Sequence, residues 1–293
     1  LVAGGMGYIG SHTVVELINA GYEALIVDNL SNSNLGVLDG IDAITGKRPE
    51  FIEADCADLD AMRSIFASHP AIAGVIDFAA SKAVNESVHK PLLYYRNNIV
   101  SLLNLLECIN GAPECRGIVF SSSCTVYGEP DTNPVTEMSP VKPATSPYGN
   151  TKQISEDIIR DTVAAGTGFN AILLRYFNPV GAHPSALIGE LPNGVPQNLI
   201  PYLTQTAIGI RKQLSVFGDD YPTPDGSCIR DFIDINDLAR AHVTAVKRIV
   251  NNGMDENVEV FNLGTGHGVS VLELINTFEK ATGVKVPYAI APR

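Results

Sequence analysis

The chain has 293 residues, 45% hydrophobic and 18% charged, with a formal net charge of −12. That is enough for one large domain or two modest ones, each with its own core. The charge excludes a nucleic-acid or anionic-membrane surface, which needs a positive face, and no apolar run approaches the roughly 20 residues that cross a bilayer. Five cysteines, odd in number and without CxxC or CxxH spacing, read as free thiols of a reducing, cytoplasmic compartment, and no metal is expected. The sequence opens at Leu1 already inside a strand, so it reads as a fragment of a longer chain.

Leu1–Ala3 reads as the end of a strand, and Ser11–Ala20 as a helix with Val14, Val15, Leu17 and Ile18 turned inward. Gly21 stops that helix, and Ala24–Val27 is a second strand ending at Asp28. Strand patterns recur at Pro49–Glu53, Gly74–Phe78, Gly117–Ser121 and Ala171–Tyr176. Helical patterns lie between them at Leu59–Ser68, Pro91–Asn110 and Tyr148–Ala165. Continuous apolar strands alternating with helices predict an α/β doubly wound parallel sheet, a Rossmann arrangement covered on both faces. After Tyr176 the texture turns rich in Pro, Gly, Asn and His, with a further helix signal at Leu199–Gly209. Residues 1–176 are therefore expected to form the dinucleotide domain. Residues 177–293 are expected to form mostly a smaller α/β substrate-binding lobe, with part of 214–250 returning to the first domain.

Gly4-Gly5-Met6-Gly7-Tyr8-Ile9-Gly10 sets glycines at 4, 7 and 10 between a strand and a helix. The first allows the tight turn, the second lets backbone approach a pyrophosphate, and the third lets helix pack on strand. The helix start offers free N–H groups to the anion. Asp28 at the end of the next strand would accept ribose hydroxyls and repel a 2′-phosphate, which favours NAD; its plainer alternative is a turn-forming Asp in Asp28-Asn29. Asp55 follows a strand and would face the adenine or cap that strand, and Phe78-Ala79-Ala80 ends another with small residues.

Tyr148-Gly149-Asn150-Thr151-Lys152 places a tyrosine and a lysine four apart on one helix face, so both reach one ligand. A phenol near pKa ~10 is a poor base at neutral pH. A nearby ammonium, together with a positive nicotinamide ring, is expected to lower that value. The strand Ile118–Phe120 delivers Ser121-Ser122-Ser123-Cys124-Thr125 to the same crevice, where a serine would hydrogen-bond the reacting hydroxyl. The same pair on an unrelated helix would be a plain surface pair.

The glycine turn, the serine strand end and Tyr-x-x-x-Lys together resemble the extended short-chain dehydrogenase/reductase superfamily, and within it the UDP-glucose 4-epimerase family. The stretches that carry this likeness span the whole chain: Gly4–His12, Asp28–Leu30, Ser81–Val84, Glu86–Val88, Ser121–Gly128, Ser146–Lys152, Leu174–Pro184 and Phe261–Gly264. The resemblance implies an isomerase of galactose metabolism that interconverts UDP-glucose and UDP-galactose through a 4-keto sugar, with NAD as cofactor. It implies Tyr148 as general base and acid, Ser123 as its partner at the 4-hydroxyl, and Lys152 on the nicotinamide ribose. NAD-contacting positions would be Gly4, Gly7, Tyr8, Ile9, Gly10, Asp28, Asn29, Asn32, Ser33, Asp55, Cys56, Phe78, Ala79, Lys82, Asn97, Ser121, Tyr148, Lys152 and Phe177. The UDP-sugar would be held by Ser123, Tyr148, Asn178, Asn198, Leu199, Val216, Phe217 and Arg230.

This chain departs from the family's usual residues at Ala3, Met6, Asp77 and Asp234. The family's diphosphate-contacting Arg-x-Gly-Asp segment would begin about where the sequence ends at Arg293, so the C-terminus reads as truncated. Arg230 is read as a diphosphate ligand or as a salt-bridge partner of Asp231 or Asp234. His183 and Cys124 are read as structural. A related 4,6-dehydratase would carry an Asp-Glu pair after the serine strand, where Ser123-Cys124-Thr125 stand without carboxylates, and a silent NAD-sensing protein would lack the Tyr/Lys pair. Pro91–Asn110 is apolar around much of its circumference, so its outer side is expected to pair with the Tyr148 helix across a homodimer axis.

Overall fold

The computed structural model describes residues 1–293. Its strands are β1 (Val2–Ala3), β2 (Leu25–Asp28), β3 (Glu50–Glu53), β4 (Val75–Asp77), β5 (Gly117–Ser123), β6 (Asn170–Tyr176), β7 (Asn178–Val180), β8 (Leu214–Phe217), β9 (Ile229–Asp234), β10 (Val258–Leu263), β11 (Gly268–Ser270) and β12 (Tyr288–Ala291). Its helices are α1 (Tyr8–Asn19), α2 (Gly36–Thr45), α3 (Leu59–Ser68), α4 (Val84–His89), α5 (Pro91–Asn110), α6 (Pro147–Ala164), α7 (Leu199–Ala207), α8 (Ile235–Val250) and α9 (Val271–Thr282).

Seven parallel strands form the main sheet in the order β10-β6-β5-β4-β1-β2-β3. The order reverses direction between β1 and β4, and at such a switch point the strand ends diverge and leave a crevice. Both faces are sealed, which is why these strands read as unbroken apolar runs. On one face Val2, Ile76, Val119 and Ile172 meet α1, α2 and α8; on the other Ala3, Val75, Ile118 and Phe120 meet α3, α5 and α6. The two alternate along each strand, as a period of two requires. The fold class is the expected α/β doubly wound sheet.

Local chemistry sets the helix limits. Ser146 caps α6 by accepting the Gly149 N–H at 3.1 Å, with Pro147 at the first helical position. Asp234 caps α8 through the N–H groups of Asn236 and Asp237, and Lys247 and Arg248 occupy its last turn. A smaller lobe gathers α7, α9, β8 and β12 around Leu203, Leu214, Val216, Ile275 and Val286. A three-stranded sheet, β11-β9-β7, adjoins it.

The return to the main layer runs further than the 214–250 segment read from the sequence. Besides α8, strand β10 extends the sheet beside β6, pairing Val258 with Ala171 through Leu263 with Tyr176. No residue of this outermost strand is fully buried, so no apolar run marks it. Helices α2, α4 and α9 were likewise not read, because each is short or largely exposed.

Candidate active site

Gly4 has φ of +72°, and a Cβ there would stand 2.8 Å from the Phe78 carbonyl carbon. A Cβ on Gly10 would lie 2.3 Å from the Gly4 oxygen, so the turn and the start of α1 pack backbone on backbone. Gly7, by contrast, meets only the Gly4 oxygen, at 3.3 Å, and no side chain caps α1. The N–H groups of Tyr8, Ile9 and Gly10 find no acceptor in the protein and stand free at the helix start. This cradle fits a pyrophosphate: close backbone, uncapped donors and the positive helix end.

Asp28 is the turn former of the plainer reading. Its Oδ1 accepts the Leu30 N–H (2.8 Å) and the Ser33 hydroxyl (3.0 Å), and its Oδ2 accepts the Met6 N–H (3.0 Å). It thus makes the turn and also braces the glycine loop, at 9% exposure on the crevice side of β2. Asn29 donates to Asp55 at 3.1 Å, and Asp55 also accepts the Ala57 N–H at 2.8 Å, the cap reading. Asn32 accepts the Asn193 N–H at 3.4 Å. The Phe78 ring lies 4.7 Å from that of His242, and Ala79 follows with its N–H on Asp77. Asn97 donates to Ser81 at 3.3 Å. Cys56 is 4% exposed, and burial pushes its thiol well up, so its side chain is a core group; only its backbone, whose carbonyl accepts from Asn104, borders the loop.

At the carboxyl end of β5 the two candidate reactive side chains converge. Lys152 is 4% exposed, donates to the Ser121 carbonyl at 2.7 Å, and stands 4.7 Å from the Phe120 ring centroid and 5.8 Å from that of Tyr148. Burial pulls its ammonium down to about 8, against the pull of Asp77 and Glu156. Ser123 accepts the Thr125 N–H at 3.2 Å and the Thr125 hydroxyl at 3.0 Å. The expected lowering of the Tyr148 pKa is not a property of the chain alone. Burial pushes that phenol up to about 12, the Ser123 hydroxyl draws it partly back, and Lys152 is not among the causes. Loss of water around the phenol sets the direction in the chain by itself.

Beneath the pair lies a buried network that the sequence did not reveal. Arg175 grips Glu156 through two nitrogens, Nε at 2.9 Å and Nη2 at 2.5 Å, and Ser122 donates to the same carboxylate. Arg175 also donates to the Tyr127 hydroxyl at 3.0 Å, which donates to Asn262 at 2.6 Å. Glu156 follows Lys152 by one helical turn, so Tyr148, Lys152 and Glu156 share one face of α6.

Across the crevice, the Tyr8 hydroxyl donates to the Gly181 carbonyl at 2.8 Å, joining the start of α1 to the second lobe. Lys82 and Asn198 converge on Glu190, at 3.3 and 2.7 Å. Glu190 was not singled out, since its loop has no periodicity to mark it. Asn198 stands at the cap position of α7 but spends its side chain on Glu190, with Leu199 packed on the small-lobe core. Phe177 packs where a Cβ on Gly264 would touch it at 2.8 Å, and Asn178 donates to the Asp231 carbonyl at 2.9 Å.

Two substrate assignments need correction or sharpening. The Val216 side chain is 1% exposed in the core of the small lobe, and strand alternation sends Phe217, 63% exposed, outward instead. The Val216 side chain therefore does not line the crevice. Arg230 has no ion pair with Asp231 or Asp234: Asp231 is taken by Thr265 and Gly266, and Asp234 caps α8. The guanidinium is exposed, donating only to Cys228 and the Ile229 carbonyl, and its charge reaches Cys124 beside Ser123.

The family described as NAD dependent epimerase/dehydratase matches residues 1–264. The chain is 52% identical over 293 residues to the UDP-glucose 4-epimerase of Bacillus subtilis (strain 168), covering 100% of this chain and 85% of that protein. It is similar in structure to the UDP-glucose 4-epimerase from Bifidobacterium longum in complex with NAD+ and UDP, with a TM-score of 0.93, 48% identity and coverage of 100% and 85%. The enzyme from Stenotrophomonas maltophila with bound NAD and formylated UDP-arabinopyranose gives a TM-score of 0.94 at 48% identity, with the same coverage. With its cofactor cradle in place and this likeness along its whole length, the chain belongs to the NAD dependent epimerase/dehydratase family.

Proposed function

We propose that the chain is an isomerase that interconverts UDP-glucose and UDP-galactose by inverting C4 of the sugar, in galactose metabolism. The observation that carries this is the convergence of Tyr148, Lys152 and Ser123 at the carboxyl end of β5, beside the glycine turn. Relatives at about half identity carry the same activity in their names. Bound NAD would supply the redox chemistry, taking hydride from C4 and giving it back.

The chain's own residues do the rest. Gly7, Tyr8, Ile9 and Gly10 would hold the cofactor pyrophosphate, Asp28 and Asn29 the adenosine ribose, and Lys82 and Asn97 the nicotinamide half. Lys152, released from the Ser121 carbonyl, would reach the nicotinamide ribose. Tyr148 takes the 4-hydroxyl proton and returns it, with Ser123 shortening the path. Arg230, Asn178, Asn198 and the Phe217 edge would grip the uridine diphosphate. Binding energy placed on the nucleotide leaves the 4-keto sugar free to turn its other face.

We further read the protein as a cytoplasmic homodimer. All five cysteines are free, and no helix is long and apolar enough to cross a membrane. On α5, Leu102, Leu105, Leu106 and Ile109 serve the core, whereas Leu92, Leu93 and Leu103 stay exposed as an outer apolar side. Incubating the purified protein with UDP-galactose and no added nucleotide tests the activity: UDP-glucose should form. An oxidised keto sugar forming only with stoichiometric added NAD, which is reduced in step, would make it a dehydrogenase instead.

A further inference from the structure

Asp77 is a carboxylate with no part in the reaction as described above. It ends β4, at the switch point of the sheet, in register with Ala3 of β1 and Phe120 of β5. It is 4% exposed. One oxygen accepts the Ala79 N–H at 2.9 Å. Strand alternation puts Asp77 on the face of Val75, Ile118 and Phe120, the face covered by α5 and α6. Lys152 enters the same space, with its Nζ 4.7 Å from the Phe120 ring and 2.7 Å from the Ser121 carbonyl. Lys152 has no ion pair with a carboxylate, so the two opposite charges act on each other through space and not in contact.

We propose that Asp77 is a positioning residue for Lys152: its buried carboxylate keeps the lysine an ammonium and so sets the pH range in which the site works. This rests on the reading of Lys152 as the lysine of the catalytic pair.

The surroundings leave this role to Asp77. Burial drives both groups toward their neutral forms and each charge opposes the other's loss, so that the carboxyl comes to rest at about 6 and the ammonium at about 8. The other titratable groups that act on Asp77 or Lys152 are Cys56, Tyr176 and Glu156. Burial keeps the Cys56 thiol and the Tyr176 phenol protonated, as it does the Tyr148 phenol beside Lys152. Glu156 is already gripped by Arg175 and Ser122. Asp77 is thus the carboxylate near Lys152 whose charge no other cation takes up.

Asp77→Asn separates this role from a structural one. The carboxamide oxygen still accepts the Ala79 N–H, but the charge is gone. Following the Lys152 side chain by NMR, in protein labelled at lysine Cε, the ammonium should titrate near 8 in the native chain and about one pH unit lower in Asp77→Asn. An unchanged midpoint overturns the proposal. If the variant does not fold, the native chain and Lys152→Met decide, because coupling between two sites is reciprocal. The Asp77 carboxyl midpoint, near 6 in the native chain, should rise when the ammonium is removed, and a fixed midpoint overturns the coupling. Activity reports separately on the catalytic reading. A site that needs the ammonium loses turnover as pH rises through the lysine's midpoint, so Asp77→Asn should lose it about one pH unit lower. Shifted titrations with an unshifted activity profile would keep the coupling and remove Lys152 from the chemistry.

Discussion

The main sheet carries 22 buried apolar residues in the core on each face, whereas the lobe around β8 and β12 closes over five. The cofactor side of the crevice is accordingly built from backbone: Gly4 lies against Phe78, Gly10 against Gly4, and Asp28 braces Met6. The side proposed for the substrate is built from side chains with slack in them. Arg230 has no carboxylate partner, Phe217 stands in solvent, and Asn198 is parked on Glu190. A close-packed interior holds its groups without a ligand, and a thin one leaves them to be ordered by what binds. One side suits a cofactor that stays, and the other a sugar that must turn.

Three substitutions sharpen or break that contrast. Tyr148→Phe removes the proton acceptor while leaving both sides standing. Turnover should fall roughly a hundredfold to ten-thousandfold with cofactor still bound, read by steady-state kinetics and by absorbance of the retained nucleotide. Near-normal turnover would remove Tyr148 from its role. Gly10→Ala strikes the backbone side. Its Cβ would meet a backbone oxygen at 2.3 Å, with no flexible side chain to yield. Denaturant unfolding should show a loss of about 3 kcal/mol, together with loss of bound cofactor. Arg230→Ala strikes the looser side, where one charge-assisted contact is worth roughly 1.5–3 kcal/mol. KM for the UDP-sugar should rise about tenfold to a hundredfold, with stability and cofactor content unchanged. A comparable loss of stability would mean that Arg230 holds the fold and the contrast fails.

Legibility in the sequence followed the same divide. Strands such as Leu25–Asp28 and Ile118–Phe120 announce themselves because both faces are buried, and the glycine turn does so because only glycine fits where backbone meets backbone. Tyr148 and Lys152 were readable because helix spacing alone puts them on one face. The Arg175–Glu156–Tyr127 network was not, because its members come from three separate elements and meet only in the fold. The place of Glu190 beside Lys82 and the inward turn of the Val216 side chain escape a local reading for a related reason. Which way a loop or short-strand side chain points depends on packing that no local pattern encodes. The raised pKa of the Tyr148 phenol in the chain alone is not legible either, because a residue list shows neighbouring charges but not the loss of water around them.

The central claim is that the hydride leaves C4 and returns to the same sugar. UDP-galactose carrying deuterium at C4, incubated with the protein in ordinary water, tests it most directly. UDP-glucose should keep the deuterium at C4, with no reduced nucleotide released into solution. Product that has exchanged the label for solvent hydrogen, or deuterium recovered on free reduced nucleotide, would contradict it.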